Sequence, residues 1–429
     1  MLSVRLSRMC QLAVAGVCVA VVSACGSAHV VVHTGSPQPL TPGAPTSGGP
    51  VTGVPALGAI ATGTLTGADV GAAQRAFGLD LLHVTCGQGA HGNLLLSGTS
   101  AGEALGLLYA AAGGDTSRNL GSVLHLGPWG PGVIAGIAGH TKALSDIRGP
   151  KKDEGLFLSN HVWSAKGSQP TQRYLDDVAT AYHSDARSVD FAGDPTGATK
   201  AINDAVNKDT RGLIKKLFDQ PLGSDTATVL TNALYLKATW MEPFESSAPA
   251  DFHAPQGAVQ VSMMTGASGP SRDSGGWRSV EFPYVGGKLS AIAILPPAGT
   301  DPCALTGSDL DTLTSGPART AGALLPKLHF EQSHDLLANL KTLGVPLSGD
   351  YSGLGGGSDI SAVVQKTYLD VDERGTTAAA ATGVAMRESL RISTAPPVVF
   401  DRPFLFLLTD TSTHSPLFTA VVTDPTQHS

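Results

Sequence analysis

Two places in the sequence carry residue types that could do covalent chemistry. The first is Gly98-Thr-Ser-Ala-Gly102, a Gly-x-Ser-x-Gly pattern that in α/β hydrolases sets a nucleophilic serine on a sharp turn between a strand and a helix. Asn93-Leu-Leu-Leu-Ser97 before it reads as a short buried strand, and Gly102 to Ala112 after it as an apolar helix, so the local setting suits a nucleophile at Ser100. Such a serine needs a histidine to take its proton and an acid to orient that histidine; His414 with Asp335 or Asp370 are the downstream candidates. The plainer reading is a Gly/Ser turn before a buried helix. The chain also lacks the repeated strand–helix units that would bring an oxyanion loop and an acid to the strand ends, so hydrolysis at Ser100 is the lesser expectation. The second place is the set of thiols Cys25, Cys86 and Cys303. No Gly-rich loop ending in Lys is present, the histidines are scattered, and neither a cofactor nor a metal site is expected.

At 429 residues, 42% hydrophobic and net charge −7, the chain can bury a large core and has no electrostatic reason to seek nucleic acid. Arg5 and Arg8 precede an apolar run from Leu12 to Val22, followed by Val22-Ser-Ala-Cys25. This is the layout of an export signal, too short in its apolar part for a mature membrane span. Val-Ser-Ala-Cys resembles a bacterial lipobox, which implies cleavage before Cys25 and its diacylation; the alternative is a plain signal peptide with an incidental cysteine. Residues 1–25 are thus the signal, and the protein is expected to be exported and either lipid-anchored to the outer face of the cell membrane or secreted. Residues 26–68 are Gly, Pro, Thr, Ser and Ala with hardly any charge, a composition that cannot bury enough apolar surface to order itself and reads as a flexible tether. Residues 69–429 form the folded part. Cys10 and Cys18 leave with the signal, so Cys86 and Cys303 are left either as one disulfide or as two buried thiols.

The elements of the folded part come in runs. Helical spacing covers Asp69 to Cys86, Gln172 to Tyr182 and Thr196 to Thr210; Gly113-Gly-Asp-Thr-Ser117 ends one helix and caps the next. Ala186–Phe191, Thr228–Lys237, Lys288–Pro296, Ala362–Val371, Pro396–Leu408 and Ser415–Pro425 read as strands. Helices concentrated early and strands in runs argue an α+β fold. Between the last strands lies Glu373-Arg-Gly-Thr-Thr-Ala-Ala-Ala-Ala-Thr-Gly-Val384. Its alanines behind Thr376 or Thr377 suit a capped helix start. Read with period two, the same residues form a strand of small side chains able to slide between two others.

At this point the sequence resembles the serpins. Asp372-Glu-Arg-Gly-Thr-Thr-Ala-Ala-Ala-Ala-Thr382, the Phe400-Asp-Arg-Pro-Phe404 turn and Ser415-Pro-Leu-Phe418 to Asp424-Pro425 match that family in order and spacing. So do Asn93–Ser100, Thr231-Asn-Ala-Leu-Tyr-Leu-Lys-Ala-Thr-Trp-Met-Glu-Pro-Phe244, Val261–Met264 and Leu325-Pro-Lys-Leu328, and the resemblance runs from Asp69 to Gln427. It implies a large mixed central β-sheet with additional sheets, about eight or nine helices and an exposed reactive-centre loop.

The activity that the resemblance implies is inhibition of a serine, or alternatively cysteine, endopeptidase, not catalysis. The loop is bait, and the protease becomes acylated. The cut strand, led by the hinge Glu373, Gly375, Thr376, Thr377, Ala378, Ala379, Ala380, Ala381 and Thr382, then enters the main sheet with the protease attached. A ladder hydrogen bond is worth about 0.5–1.5 kcal/mol net, so a strand of this kind adds more than about 10 kcal/mol, comparable to a domain's stability. Small hinge residues favour an inhibitor over a non-inhibitory serpin, since bulk or proline would slow insertion. By resemblance, Ser97, Ser100 and Asn232 fall at the "shutter", and Trp240 with the pair Lys327–Glu373 at the "breach" where insertion begins. Gln365 stands where many serpins have a shutter histidine; it can hydrogen bond to Asn232 but cannot titrate. Gly98 replaces the family's usual proline, which would loosen the turn. The usual offset from Glu373 puts the reactive bond at Ser389–Leu390, within a window that includes Arg387, Glu388, Arg391 and Ile392. The expected partners are the target protease, in covalent complex, and a membrane through Cys25; the expected state is a monomer.

Overall fold

The computed structural model describes residues 64–427 except 90–91, 150, 152–153, 185, 213, 356–358 and 377–395, all within the unit Ala56–Ser429. Cys25, Thr377 to Thr382 and the Arg387–Ile392 window lie outside the described residues. The first helix, α1 (Gly67–Gly87), starts earlier than the expected boundary at Asp69. Thr66 is its cap: the threonine hydroxyl takes the Asp69 N–H while the Asp69 carboxylate takes the Thr66 N–H at 2.8 Å, so Asp69 belongs inside the first turn. The other helices are α2 (Gly98–Ala111), α3 (Gly114–Val123), α4 (Pro131–Ser145), α5 (Gln172–Tyr182), α6 (Pro195–Asp209), α7 (Gly307–Ser315) and α8 (Leu337–Thr342).

The strands are β1 (Leu94–Leu96), β2 (Gly155–Ala165), β3 (Arg187–Val189), β4 (Thr228–Thr239), β5 (Ser246–Ala254), β6 (Gly257–Ser274), β7 (Trp277–Pro283), β8 (Leu289–Leu295), β9 (Arg319–Pro326), β10 (Leu328–Asp335), β11 (Ala362–Asp372), β12 (Gly375–Thr376), β13 (Val398–Val399), β14 (Phe404–Asp410) and β15 (Pro416–Val422). Pro396–Leu408, expected as one strand, is two, because the Asp401-Arg-Pro403 corner cannot continue a ladder. They form two sheets. One has nine strands in the order β1-β15-β14-β8-β7-β6-β9-β13 with β5 added on β6; the other has six, β10-β11-β12-β4-β2-β3. The six-stranded sheet is mixed: β4 and β11 pair parallel, whereas β2 with β4 and β10 with β11 pair antiparallel.

One apolar core packs α1 and α2 against the sheets; a second includes Trp240, Phe282, Phe330 and Phe404. The helices α1 and α2 touch at Gly78 and Gly98, where a Cβ on Gly98 would stand 2.5 Å from the Gly78 Cα. Gly98 therefore does not loosen a turn: it is the first residue of α2, and its missing side chain lets α1 come close. Cys86 and Cys303 are disulfide-bonded, with a Cα–Cα separation of 6.3 Å. The bridge ties the end of α1 to the short turn Pro302–Ala304 across 217 residues of sequence, a constraint on the unfolded chain typically worth about 2–4 kcal/mol.

Candidate functional site: the gap between β4 and β11

β4 and β11 are the middle of the six-stranded sheet, and they pair along only part of their length. Register runs from Ala362 opposite Val229 to Thr367 opposite Leu234. Beyond that the strands diverge, and β12 sits between them, Thr376 opposite Val371 on one side and Ala238 on the other. The turn into β12 is local chemistry: the Asp372 side chain accepts from the N–H groups of Arg374 at 2.7 Å and Gly375 at 3.1 Å. Gly375 has no alternative, since a Cβ there would lie 2.1 Å from the Ala238 carbonyl oxygen. Thr376 is 1% exposed.

An aromatic group holds this end of the sheet. Trp240 is buried, stacks on Tyr284 at 4.2 Å and donates from Nε1 to the Asp372 carbonyl at 2.9 Å. The Trp240 and Phe244 N–H groups donate to the carbonyls of Arg374 and Glu373. Tyr284, wholly buried, shares a hydrogen bond with the Thr376 hydroxyl. Burial pushes the phenol far up, against the opposing pull of that bond, so Tyr284 stays neutral at any physiological pH. Lys327 Nζ lies 2.8 Å from Glu373 Oε1. Although burial alone would raise it, hydrogen bonds from Lys327 and Ser247 hold the Glu373 carboxyl below its ordinary value. With both partners partly exposed, the pair orients the turn more than it stabilises the fold.

Where β4 and β11 do pair, amide side chains clasp them from beneath. Gln365 Oε1 accepts the Ser97 N–H at 2.9 Å, and its Nε2 donates to both the Ser97 carbonyl and Asn232 Oδ1, each at 2.9 Å. One amide thus meets three partners; a neutral histidine, with one donor and one acceptor, would leave a buried group unpaired. Asn232 Nδ2 and Ser100 Oγ both donate to Asn160 Oδ1, at 3.1 and 3.0 Å. Asn160 Nδ2 donates in turn to Glu103 Oε2 at 2.7 Å. Nearby, Thr367 Oγ1 donates to the Leu95 carbonyl and Gln332 Oε1 accepts the Leu95 N–H, so β1 is docked across the edges of β10 and β11 by side chains.

This geometry decides against a nucleophile at Ser100. The residue lies in the first turn of α2, is wholly buried, and spends its hydroxyl on Asn160 while its N–H is capped by Ser97. Asp335 caps Leu337, Asp370 faces His329, and exposed His414 lies against Arg75; none of them bonds to Ser100 among the described residues. No cluster of described residues is suited to hold a metal ion.

Sequence reasoning placed Ser97, Ser100, Asn232 and Gln365 together, and Trp240, Lys327 and Glu373 together; the structure joins the first set through Gln365 and Asn160, and sets Trp240 on the carbonyls of Asp372 and Arg374, on either side of the Glu373 that pairs with Lys327. It missed Tyr284, Asn160, Glu103 and His140. A signal existed for one of them: Ser159-Asn160-His161 interrupts the apolar run of β2 with three consecutive polar residues, and a polar group in a central strand must have a buried partner.

The family description "Serpin (serine protease inhibitor)" matches residues 72–425. An uncharacterized serpin-like protein of Thermococcus kodakarensis is 32% identical over 369 residues, 82% of this chain and 85% of that one. The leukocyte elastase inhibitor of Bos taurus is 30% identical over 379 residues, 82% of this chain and 99% of its own. Among solved structures, the crystal structure of Serpin48 of the insect Tenebrio molitor superposes with TM-score 0.71 at 25% identity, covering 83% of this chain and 98% of that one.

Proposed function

The chain belongs to the serpin family, many of whose members are serine protease inhibitors and not catalysts, and from that premise we propose that it is itself an inhibitor of a serine or cysteine endopeptidase, consumed in the act. The protease would cut within Arg387–Ile392, at Ser389–Leu390 by the family's offset, and become acylated. The released strand would then fill the gap between β4 and β11 before water frees the enzyme. The observation that carries this reading is β12: the first two hinge residues after the turn already occupy that gap, paired on both sides. Gly375 and Thr376 are the seed onto which Thr377 to Thr382 would add, each small enough to pass. The window offers Arg387 and Arg391 to a trypsin-like pocket and Leu390 to a chymotrypsin- or elastase-like one.

Mixing the protein with a panel of serine and cysteine proteases should give an SDS-stable complex with at least one, and sequencing the new N-terminus should place the cut within the window. Full turnover of the loop with no complex would move the reading to a non-inhibitory serpin.

We further propose that the mature protein is a lipid-anchored monomer on the outer face of the membrane, with Cys25 acylated and the Gly/Pro/Thr/Ser-rich stretch within residues 26–68, up to the Thr66 cap of α1, as spacer. What supports this is the Val22-Ser-Ala-Cys25 sequence behind a basic and apolar leader. Palmitate label should appear on the wild type and vanish with Cys25→Ala; label that survives the substitution sinks the anchor.

A further inference from the structure

Below the Gln365 clasp lies a buried acid that strand insertion as described does not use. Glu103, on α2, is 5% exposed, and the amide it holds, Asn160, is the point where α2, β2 and β4 are tied together. Its other oxygen, Oε1, faces Nδ1 of His140 on α4 at 3.8 Å. His140 is 1% exposed, and its Nε2 pairs with Ser415 Oγ at 2.7 Å. From there Thr413 leads to the buried carboxylate of Asp410, Oγ1 to Oδ2 at 2.6 Å. Tyr182 on α5 is the other titratable group coupled to Glu103, with Tyr109 and Tyr174 next to it. A cavity of about 480 Å³ opens onto Glu103 from between α2, α4, α5 and β2, with Arg148, His161, His183 and Arg187 also lining it; the acid is therefore within reach of water and protons.

Burial pushes Glu103 up to about 8, against the opposing hydrogen bond from Asn160. Burial likewise brings His140 down to about 4, with the charge of Asp410 opposing. Near neutral pH the pair holds one proton, on the carboxyl, and the network is uncharged from Glu103 to His140. Taking that proton away leaves a buried carboxylate facing the neutral His140 imidazole, which must be rehydrated through the cavity or draw a proton onto His140. Gln365 has no proton to lose, so the clasp on Ser97 and Asn232 is itself indifferent to pH.

We propose that Glu103 is the proton-responsive positioning residue of the six-stranded sheet: protonated, it sits uncharged in the closed core and lets α2 stay packed on β2 and β4 through Asn160; deprotonated, its buried charge must be hydrated, which loosens that packing and lets the gap between β4 and β11 open. The inference rests on insertion between those strands being the working motion, as proposed above. Its sign follows from linkage. Glu103 binds its proton more tightly in the closed state than when hydrated, so its contribution to the closed state is complete below about 4.5 and is lost as pH rises through about 8. His140 acts oppositely, its contribution being lost as pH falls from 6.5 toward about 4. Above 6.5 Glu103 acts alone, and each pH unit up to about 8 shifts the closed-to-open ratio by up to about tenfold.

Two measurements on the intact chain test this. The thermal unfolding midpoint of the wild type should fall from pH 6.5 to 8 and level off above, whereas Glu103→Gln, which keeps the acceptor for Asn160 and cannot ionise, should show no slope there. A synthetic peptide with the sequence of residues 376–387 should anneal into the sheet faster as pH rises through that range in the wild type, and at one rate in Glu103→Gln. A wild-type annealing rate flat across the range overturns the proposal without recourse to any variant. So does a variant that keeps the wild-type slope, or a Glu103-dependent thermal slope with no effect on annealing. If no peptide anneals at any pH and no protease complex forms, the insertion reading fails first and takes this proposal with it.

Discussion

Cutting the loop once within Arg387–Ile392 is expected to raise the thermal unfolding midpoint by about 20 °C or more, although a nick ordinarily destabilises a protein. In the intact chain β4 and β11 pair only from Val229–Leu234 against Ala362–Thr367, and β12 adds two residues between them. If insertion proceeds as proposed, a freed strand end would let residues from 377 onward continue β12 down the gap, gaining a ladder on each side and burying both faces. At about 0.5–1.5 kcal/mol net per hydrogen bond, a dozen added residues sum to more than about 10 kcal/mol, as large as the stability of a typical domain. On the proposed mechanism the intact form is the strained one. Calorimetry of intact and nicked protein side by side reads the difference directly, and equal midpoints would mean that the sheet does not accept the strand.

The second large effect is expected from Thr376→Arg. Thr376 is buried between two strands with its hydroxyl on Tyr284, and Tyr284 is itself sealed under Trp240. A guanidinium there would be taken out of water between two strands, and burying it without a well-placed counter-ion costs far more than β12 returns. The hinge would leave the gap, insertion would lose its seed, and hydrolysis of the acyl-enzyme would win. With any protease that the wild type traps, the variant should be cut with turnover and the yield of SDS-stable complex should fall to about a tenth or less, since each 1.4 kcal/mol of lost insertion advantage is a factor of about ten in the competition. Tyr284→Phe is the milder arm: it strands the Thr376 hydroxyl at a cost of about 1–3 kcal/mol and should lower the yield without abolishing it. Unchanged yield in Thr376→Arg would show that β12 plays no part in insertion.

Much of this design was legible in local pattern. Small side chains from Thr376 to Thr382 can be read as a strand made to slide, because strand periodicity needs only the next residue but one. The same holds for the strands on either side, and for Gly-x-Ser-x-Gly as an ambiguous signal that a missing βα scaffold made doubtful. The helix start at Thr66 is local too: the Thr66–Asp69 capping box sets the first turn ahead of Asp69.

What only the tertiary structure decided are the partners of polar groups, which lie far away in the chain. Ser97 meets Gln365 across 268 residues, Asn232 meets Asn160 across 72, and Tyr284 meets Thr376 across 92. Whether Cys86 and Cys303 form a bridge depended on a Cα separation across 217 residues that no spacing rule supplies. Glu103 is the sharpest case: on sequence it is one acid in a helix, unremarked among 35 acidic residues, and its chemistry arises because α4 and β2 close over it. Backbone preference is written in near neighbours, so the sequence alone marked the small-residue stretch whose first two residues form β12. The energy of a polar side chain depends on what excludes water from it and what it then meets, so the fold alone decided which residues hold that strand's place.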